Sequence, residues 1–267
     1  MRAIEAAGLL AKAGVASSLI GDPDMEFGEF RPFWQGVAGC AVFLWRASAS
    51  YPAMDGPASV PSLLITTSAL AAQFVGKIPA IITVAAPRAA FAVVQTALLG
   101  IGAAQISPLA VVEHCLVGRD VQIEPFCHVG GDGLSANRTG NRQLHTPHGG
   151  IVRLGDRVRL ESMTVIERAV MGETVVGDDC QFGNGNNVGH GSVIGKRLAC
   201  AARVIICGHC EIGDDVRLGA GVVLREGTRV GDRAFVGMGA VVVRDVPADV
   251  VVAGNPARIL KGSVAPW

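Results

Sequence analysis

Every sixth residue from Val176 onward is apolar: Phe182, Val188, Ile194, Cys200, Ile206, Ile212, Leu218, Leu224, Val230, Val236 and Val242 follow without one polar interruption. A unit this short cannot bury an apolar face alone, so neighbouring units must stack into one continuous core. A second ladder runs two residues ahead of the first, from Thr174 through Cys180, Asn186, Ser192, Leu198, Val204 and Cys210 to Ala240, and is mostly small or aliphatic. Gly often follows the large residue, as at Gly189 and Gly195, where a left-handed backbone would cost little. Short strands joined by tight corners are therefore predicted. The register recurs at Val111, Val117, Ile123 and Val129, with Leu109, Cys115, Val121 and Cys127 two residues before each, and again at Leu154, Leu160 and Ile166. About nineteen hexads at three per turn give about six coils of a triangular parallel β-helix. A Gly-rich segment over residues 130–150 and a four-residue slip between Ile166 and Val176 interrupt it.

The first hundred residues have a different texture. Ile4, Ala7, Leu10 and Ala11 give a helical pattern that ends near Gly14, and Leu19 and Ile20 run into the turn Gly21-Asp22-Pro23-Asp24. Strand-like pieces follow at residues 42–44, 63–65 and 80–84, and a helix is expected over residues 88–99. The predicted organisation is a small α/β domain over 1–105, the β-helix over 106–246 and a tail over 247–267.

Composition narrows the function classes. Charged residues are 17%, and 23 Lys plus Arg balance 23 Asp plus Glu, so no basic field exists to hold nucleic acid. The apolar stretch over residues 89–104 contains Gln95 and is shorter than the ~20 residues that span a bilayer. It reads as a buried helix. The N-terminus lacks an uninterrupted signal-peptide core, and the seven cysteines form only one C-x-x-C, at Cys207 and Cys210, where the repeat already makes Cys210 a wall residue. A cytoplasmic, reduced protein is expected.

The repeats end in Val252-Ala253-Gly254-Asn255-Pro256-Ala257-Arg258, and the chain also carries Leu19-Ile20-Gly21-Asp22-Pro23-Asp24, Val129-Gly130-Gly131-Asp132-Gly133 and Asn187-Val188-Gly189-His190-Gly191-Ser192. In these stretches, and in Pro87-Arg88-Ala89-Ala90-Phe91-Ala92, it resembles the UDP-3-O-acylglucosamine N-acyltransferases of lipid A biosynthesis, within the hexapeptide-repeat acyltransferases. The resemblance implies a left-handed β-helix, a homotrimer, and transfer of an acyl group from a phosphopantetheine thioester to the amine of a UDP-linked amino sugar. The apolar walls implied by a mean hydropathy of +0.42 would find cover in such a trimer. The tail resembles that of acetyl-CoA-using sugar acetyltransferases, so acyl carrier protein and CoA both stand as donors. That family's second His, about two coils beyond the first, falls here on Gly227 beside Glu226.

Acyl transfer to an amine needs a base for the amine proton and a donor for the oxyanion. Imidazole titrates near neutral pH, which makes His190 the candidate base, with Gly189 and Gly191 expected to leave room for substrate. Gly208 lies one coil onward, and the resemblance implies its N–H as the oxyanion donor. Asn184 and Asp132 are candidates for the sugar, while Asn186 fits an inward structural ladder. The resemblance places Phe43 and Tyr51 at the uracil, and Arg258 and Lys261 at the phosphates of CoA or phosphopantetheine. His145 and His148 share a loop, but the histidines five apart expected of a metal-binding β-helix are missing, since Gly185 and Gly195 flank His190 at that distance; no metal and no resident cofactor is expected. Two other readings remain: an acetyl-CoA-dependent N-acetyltransferase of another nucleotide-linked amino sugar, and a non-catalytic β-helix binding module.

Overall fold

The computed structural model describes residues 1–27, 29–32, 40–44, 61–85, 87, 90, 94 and 105–261. The chain divides into two units, Met1–Gly102 and Ala103–Trp267. Among the described residues no helix is long and apolar enough to cross a membrane.

The first unit is a five-stranded sheet built from β1 (Ser17–Gly21), β2 (Glu29–Pro32), β3 (Cys40–Leu44), β4 (Leu63–Thr66) and β5 (Ala80–Val84), in the order β1-β5-β4-β3-β2. Only the β1–β5 pair is antiparallel. The central strands β4 and β5 are buried along their whole length, as a sheet covered on both faces requires. Leu63, Ile65 and Ile82 pack on one side with Leu10 of α1 (Ala3–Lys12); Leu64 and Ile81 pack on the other with Phe74 and Ile78. The helix lies where its period predicts, but its buried face is Ala3, Ala6 and Leu10, and Ile4 is exposed. Alanines let the helix axis approach the sheet closely, which the larger Ile4 could not. The helix expected over residues 88–99 lies largely outside the described residues.

The second unit is the left-handed parallel β-helix. Its three walls are sheets of seven, six and nine strands, one more level than the hexads suggest. In its regular part residues one coil apart lie 18 positions apart, as in Val188 above Ile206 and Ile206 above Leu224. All positions of the main ladder from Val176 to Val242 are buried, Phe182 being the bulkiest, and so is the second ladder. In the second ladder Asn186 is satisfied internally: it donates to the Gly183 carbonyl at 2.7 Å and accepts from Val204 N–H at 2.7 Å.

Three expectations need correction. In the first coil Val112, not Val111, stacks under Val129, and Val111 is 53% exposed. The intervening coil is one residue short, so the hexad count drifts off register there. The left-handed corner residues are not the glycines that follow the large residues but those two places further on, such as Gly191, Arg197, Arg203 and His209. Finally, the segment expected as a separate tail extends a wall: Val251–Ala253 pairs parallel with Phe235–Val236, and Arg258–Lys261 folds back on it antiparallel.

Because Phe182 is fully buried among stacked residues that cannot collapse without breaking register, Phe182→Ala is expected to cost ~3–5 kcal/mol of stability, read by urea unfolding.

Candidate functional site

The inter-coil pairings fix a column of side chains just past the seven-stranded wall. Gly131 pairs with Glu167, Ile166 with Val188, Val188 with Ile206, and Ile206 with Leu224. Carried one or two residues onward, these registers stack Asp132, Arg168, His190, Gly208 and Glu226 on successive levels. The next position is the left-handed corner, occupied by Gly191, His209 and Gly227 at φ of 68°, 58° and 71°. The position that carries the second His of the resembling family is therefore a corner that glycine fills without strain.

His190 is held by its backbone and left free at its ring. Its N–H donates to Glu167 Oε2 at 3.1 Å, and its carbonyl accepts from His209 N–H at 2.9 Å. The ring meets His209 edge to face at 4.8 Å and His148 at 5.3 Å, and the buried Nδ1 has no hydrogen-bond partner. Its Cε1–Nε2 edge faces Gly208, where a Cβ would lie 3.0 Å from Cε1 and 3.1 Å from Nε2. The Gly208 N–H makes no hydrogen bond to a described residue. An imidazole and a residue with an unused backbone N–H thus stack on adjacent levels, and a base and an N–H donor are the groups a tetrahedral acyl intermediate requires.

Gly189 and Gly191 do other work than clearing room for substrate. A Cβ on Gly189 would lie 2.5 Å from the Gly208 backbone nitrogen, so this glycine permits the close stacking of two coils. Gly191 supplies the left-handed corner, and a Cβ there would meet the His209 ring at 2.6 Å.

A second group adjoins the first. A β-hairpin of Ala136–Thr139 and Arg142–His145 is inserted into one coil, and both of its strands are exposed. At its base Asp132 Oδ1 accepts from Arg168 Nε at 2.7 Å, while Oδ2 accepts from His148 N–H at 3.3 Å and lies 3.4 Å from His145 Nε2. Chiefly through the Arg168 hydrogen bond, the Asp132 carboxyl is pushed down to about 2. The His148 side chain is wholly buried; burial pushes its pKa down, and neither ring nitrogen has a hydrogen-bond partner.

The structure therefore gathers His190, Gly208 and Asp132 at one corner. Asn184 sits on the preceding corner, donating to Glu161 Oε2 at 3.0 Å. Arg258 is exposed on the terminal hairpin, its Nη1 donating to the Ala257 carbonyl at 2.9 Å. Phe43 falls on β3 and Lys261 on the last strand; their side chains, like all of Tyr51, lie outside the described residues. Glu167, Arg168 and His209 escaped the sequence reading. His209 was legible as His190 plus one coil plus one; Glu167 and Arg168 were hidden by the slip, which makes the coil below His190 22 residues long.

The bacterial transferase hexapeptide (six repeats) family matches residues 209–244. The UDP-3-O-acylglucosamine N-acyltransferase of Caulobacter sp. (strain K31) is 30% identical over 152 residues, which is 57% of this chain and 45% of the relative. UDP-3-O-acylglucosamine N-acyltransferase 2 of Legionella pneumophila (strain Lens) is 34% identical over 103 residues, 39% of this chain and 30% of the relative. A solved UDP-N-acetylglucosamine acyltransferase shares the fold at a TM-score of 0.50 and 17% identity, covering 90% of this chain and 70% of its own. The chain carries hexapeptide repeats wound as a left-handed β-helix. Its similarity is to the UDP-3-O-acylglucosamine N-acyltransferases, and it spans less than half the length of the curated relatives it matches.

Because the Gly208 nitrogen occupies the space a Gly189 side chain would need, Gly189→Ala is expected to lower stability by ~1–3 kcal/mol. His190→Ala, which only shortens a half-buried side chain, should leave the unfolding midpoint near that of the wild type. Denaturant titration of the two variants compares them.

Proposed function

We propose that this protein transfers an acyl group from a phosphopantetheine thioester, carried by acyl carrier protein or CoA, to the amine of a UDP-linked amino sugar. The observation that carries the reading is the His190 edge packed against Gly208, whose N–H has no partner among the described residues, in a chain similar to enzymes of that name. Fold alone would not carry it, since one scaffold hosts many activities.

In the proposed reaction the sugar amine attacks the thioester carbonyl while His190 Nε2 removes its proton. A C–N bond forms, and the carbonyl electron pair moves to oxygen, where the Gly208 N–H stabilises the charge. Collapse breaks the C–S bond, and the protonated imidazole returns the proton to the leaving thiolate, regenerating neutral His190 and a free thiol. Glu167 contributes by fixing the His190 backbone. In this reading Asp132 and Asn184 contact the sugar, Phe43 and Tyr51 the uracil, and Arg258 and Lys261 the donor's phosphates. Assembly as a homotrimer in the cytoplasm belongs to the same proposal, and light scattering at micromolar concentration should give three chains rather than one.

Thioester cleavage followed with UDP-linked amino sugars is the direct test. His190→Ala should lower turnover by ~10²–10⁴-fold. Retention of more than about a tenth of the wild-type rate at neutral pH would remove His190 from the role of base. Gly208→Ala, which forces the His190 ring to shift, should reduce turnover by up to ~10²-fold with little change in the affinity for UDP. Tyr51→Ala should weaken UDP binding by ~1–3 kcal/mol while leaving the thioester donor's affinity alone, as calorimetry with each ligand would report. UDP binding without thioester cleavage by the wild type would favour the binding module.

A further inference from the structure

We infer that Asp132, His145 and His148 form a binding site for one divalent metal ion of the zinc class. The inference goes beyond the proposed acyl transfer and stands independently of it. The ligating atoms of the three residues lie within 4.8 Å of one another. From Asp132 Oδ2, His145 Nε2 is 3.4 Å away and His148 Nδ1 is 3.8 Å away. Donors bound at about 2.0–2.1 Å in a tetrahedron stand about 3.4 Å apart, so the three atoms need only small side-chain adjustments to share an ion.

The chemistry of the cluster points the same way. Two imidazoles and one carboxylate are a donor set that suits zinc and its neighbours, and three protein ligands leave one position open for water or a substrate oxygen. His148 is the decisive residue. Its side chain is fully buried, yet neither nitrogen has a hydrogen-bond partner among the described residues, and a buried unsatisfied polar group is unfavourable. An ion beside Nδ1 would give that nitrogen its partner. Arg168 occupies the other carboxylate oxygen, Oδ1, at 2.7 Å and so orients Asp132 without competing for Oδ2. The hairpin between Asp132 and His148 has both strands exposed and no core of its own. A metal at its base would anchor it to the β-helix, and the His148 ring, 5.3 Å from that of His190, would be fixed with it.

The test uses the full chain, stripped of metal by a chelator and dialysed. Titration with Co²⁺ should develop the visible absorption of a low-symmetry, imidazole-bound ion at one equivalent per chain, and Zn²⁺ should displace it. His145→Ala changes an exposed hairpin residue and should leave the circular dichroism unaltered while lowering Zn²⁺ affinity by at least ~10-fold in calorimetry. Asp132→Asn should do the same. Zn²⁺ should also slow tryptic cleavage at Arg138 and Arg142 of the hairpin in the wild type, but not in His145→Ala. The site is disproved if the stripped wild type takes up no Zn²⁺, or if His145→Ala binds it with unchanged affinity, which would place the ion elsewhere, for instance at Cys207 and Cys210. Neither readout depends on acyl transfer, so failure of the metal site and failure of the proposed reaction are distinguishable.

Discussion

Everything in the second unit depends on the hydrogen bonds between one coil and the next, because each two-residue strand can satisfy its backbone only through the levels above and below. Such a coil must turn three times, and each turn takes one residue in the left-handed region. For a residue other than glycine that costs roughly 1–2 kcal/mol. At one corner the chain accepts this seven times over with charged residues, from Asp120 upward, and joins six of them as ion pairs: Arg157 with Asp179 at 2.6 Å, Arg197 with Asp215 at 2.6 Å, Arg233 with Asp249 at 2.5 Å. Exposed pairs return only ~0–1 kcal/mol each, less than the two strained residues of a pair cost. The corners are therefore stabilised by the ladder and the buried wall residues, and the ion pairs mainly select which neighbour each arginine meets.

The corner that carries His190 is built differently. There the left-handed positions are Gly191, His209 and Gly227, and the column beside them reads Asp132, Arg168, His190, Gly208, Glu226. A residue without a side chain above the imidazole is what leaves room for its Cε1–Nε2 edge against the next level. Any side chain at 208 would press on that ring, as the 3.0 Å separation from a notional Cβ shows. Stacking thus performs two tasks with one geometry: it holds the prism together and it spaces the chemical groups.

How legible this was depended on how regular the coil was. From Val188 to Val242 each level repeats after 18 residues, the last pairing, Phe235 with Val251, falling to 16, and the inward ladder read from the sequence coincides with the buried residues. Below Val188 the spacing fails: Val112 to Val129 is 17 residues, Val129 to Ile166 is 37, and Ile166 to Val188 is 22. Counting by six could not survive those changes, so Val111 was given the place of Val112, and Arg168 could not be seen beneath His190. In the first unit the helix was legible from its period, whereas its buried face was not. Close helix–sheet contact favours Ala3 and Ala6 over the larger Ile4, and hydrophobicity alone ranks them the other way.

The irregular levels are also the ones that hold the polar cluster. Gly130, at φ 95°, marks a bulge where the pairing slips between Val129 and Gly131, and a Cβ there would run into the Glu113 carbonyl. The bulge turns Asp132 towards Arg168 and starts the inserted hairpin, whose far end returns His148 to the interior. A regular coil has no means of bringing a residue from outside the repeat against its own corner; an insertion does. His148 reaches His190 only because the chain leaves the stacked coils at 131 and rejoins them at Ile151–Leu154, which pairs with Cys115–Val117 on one side and Glu173–Val176 on the other. Departures from an otherwise consistent pattern mark the places where a fold has been put to use, and here the departures converge on one histidine.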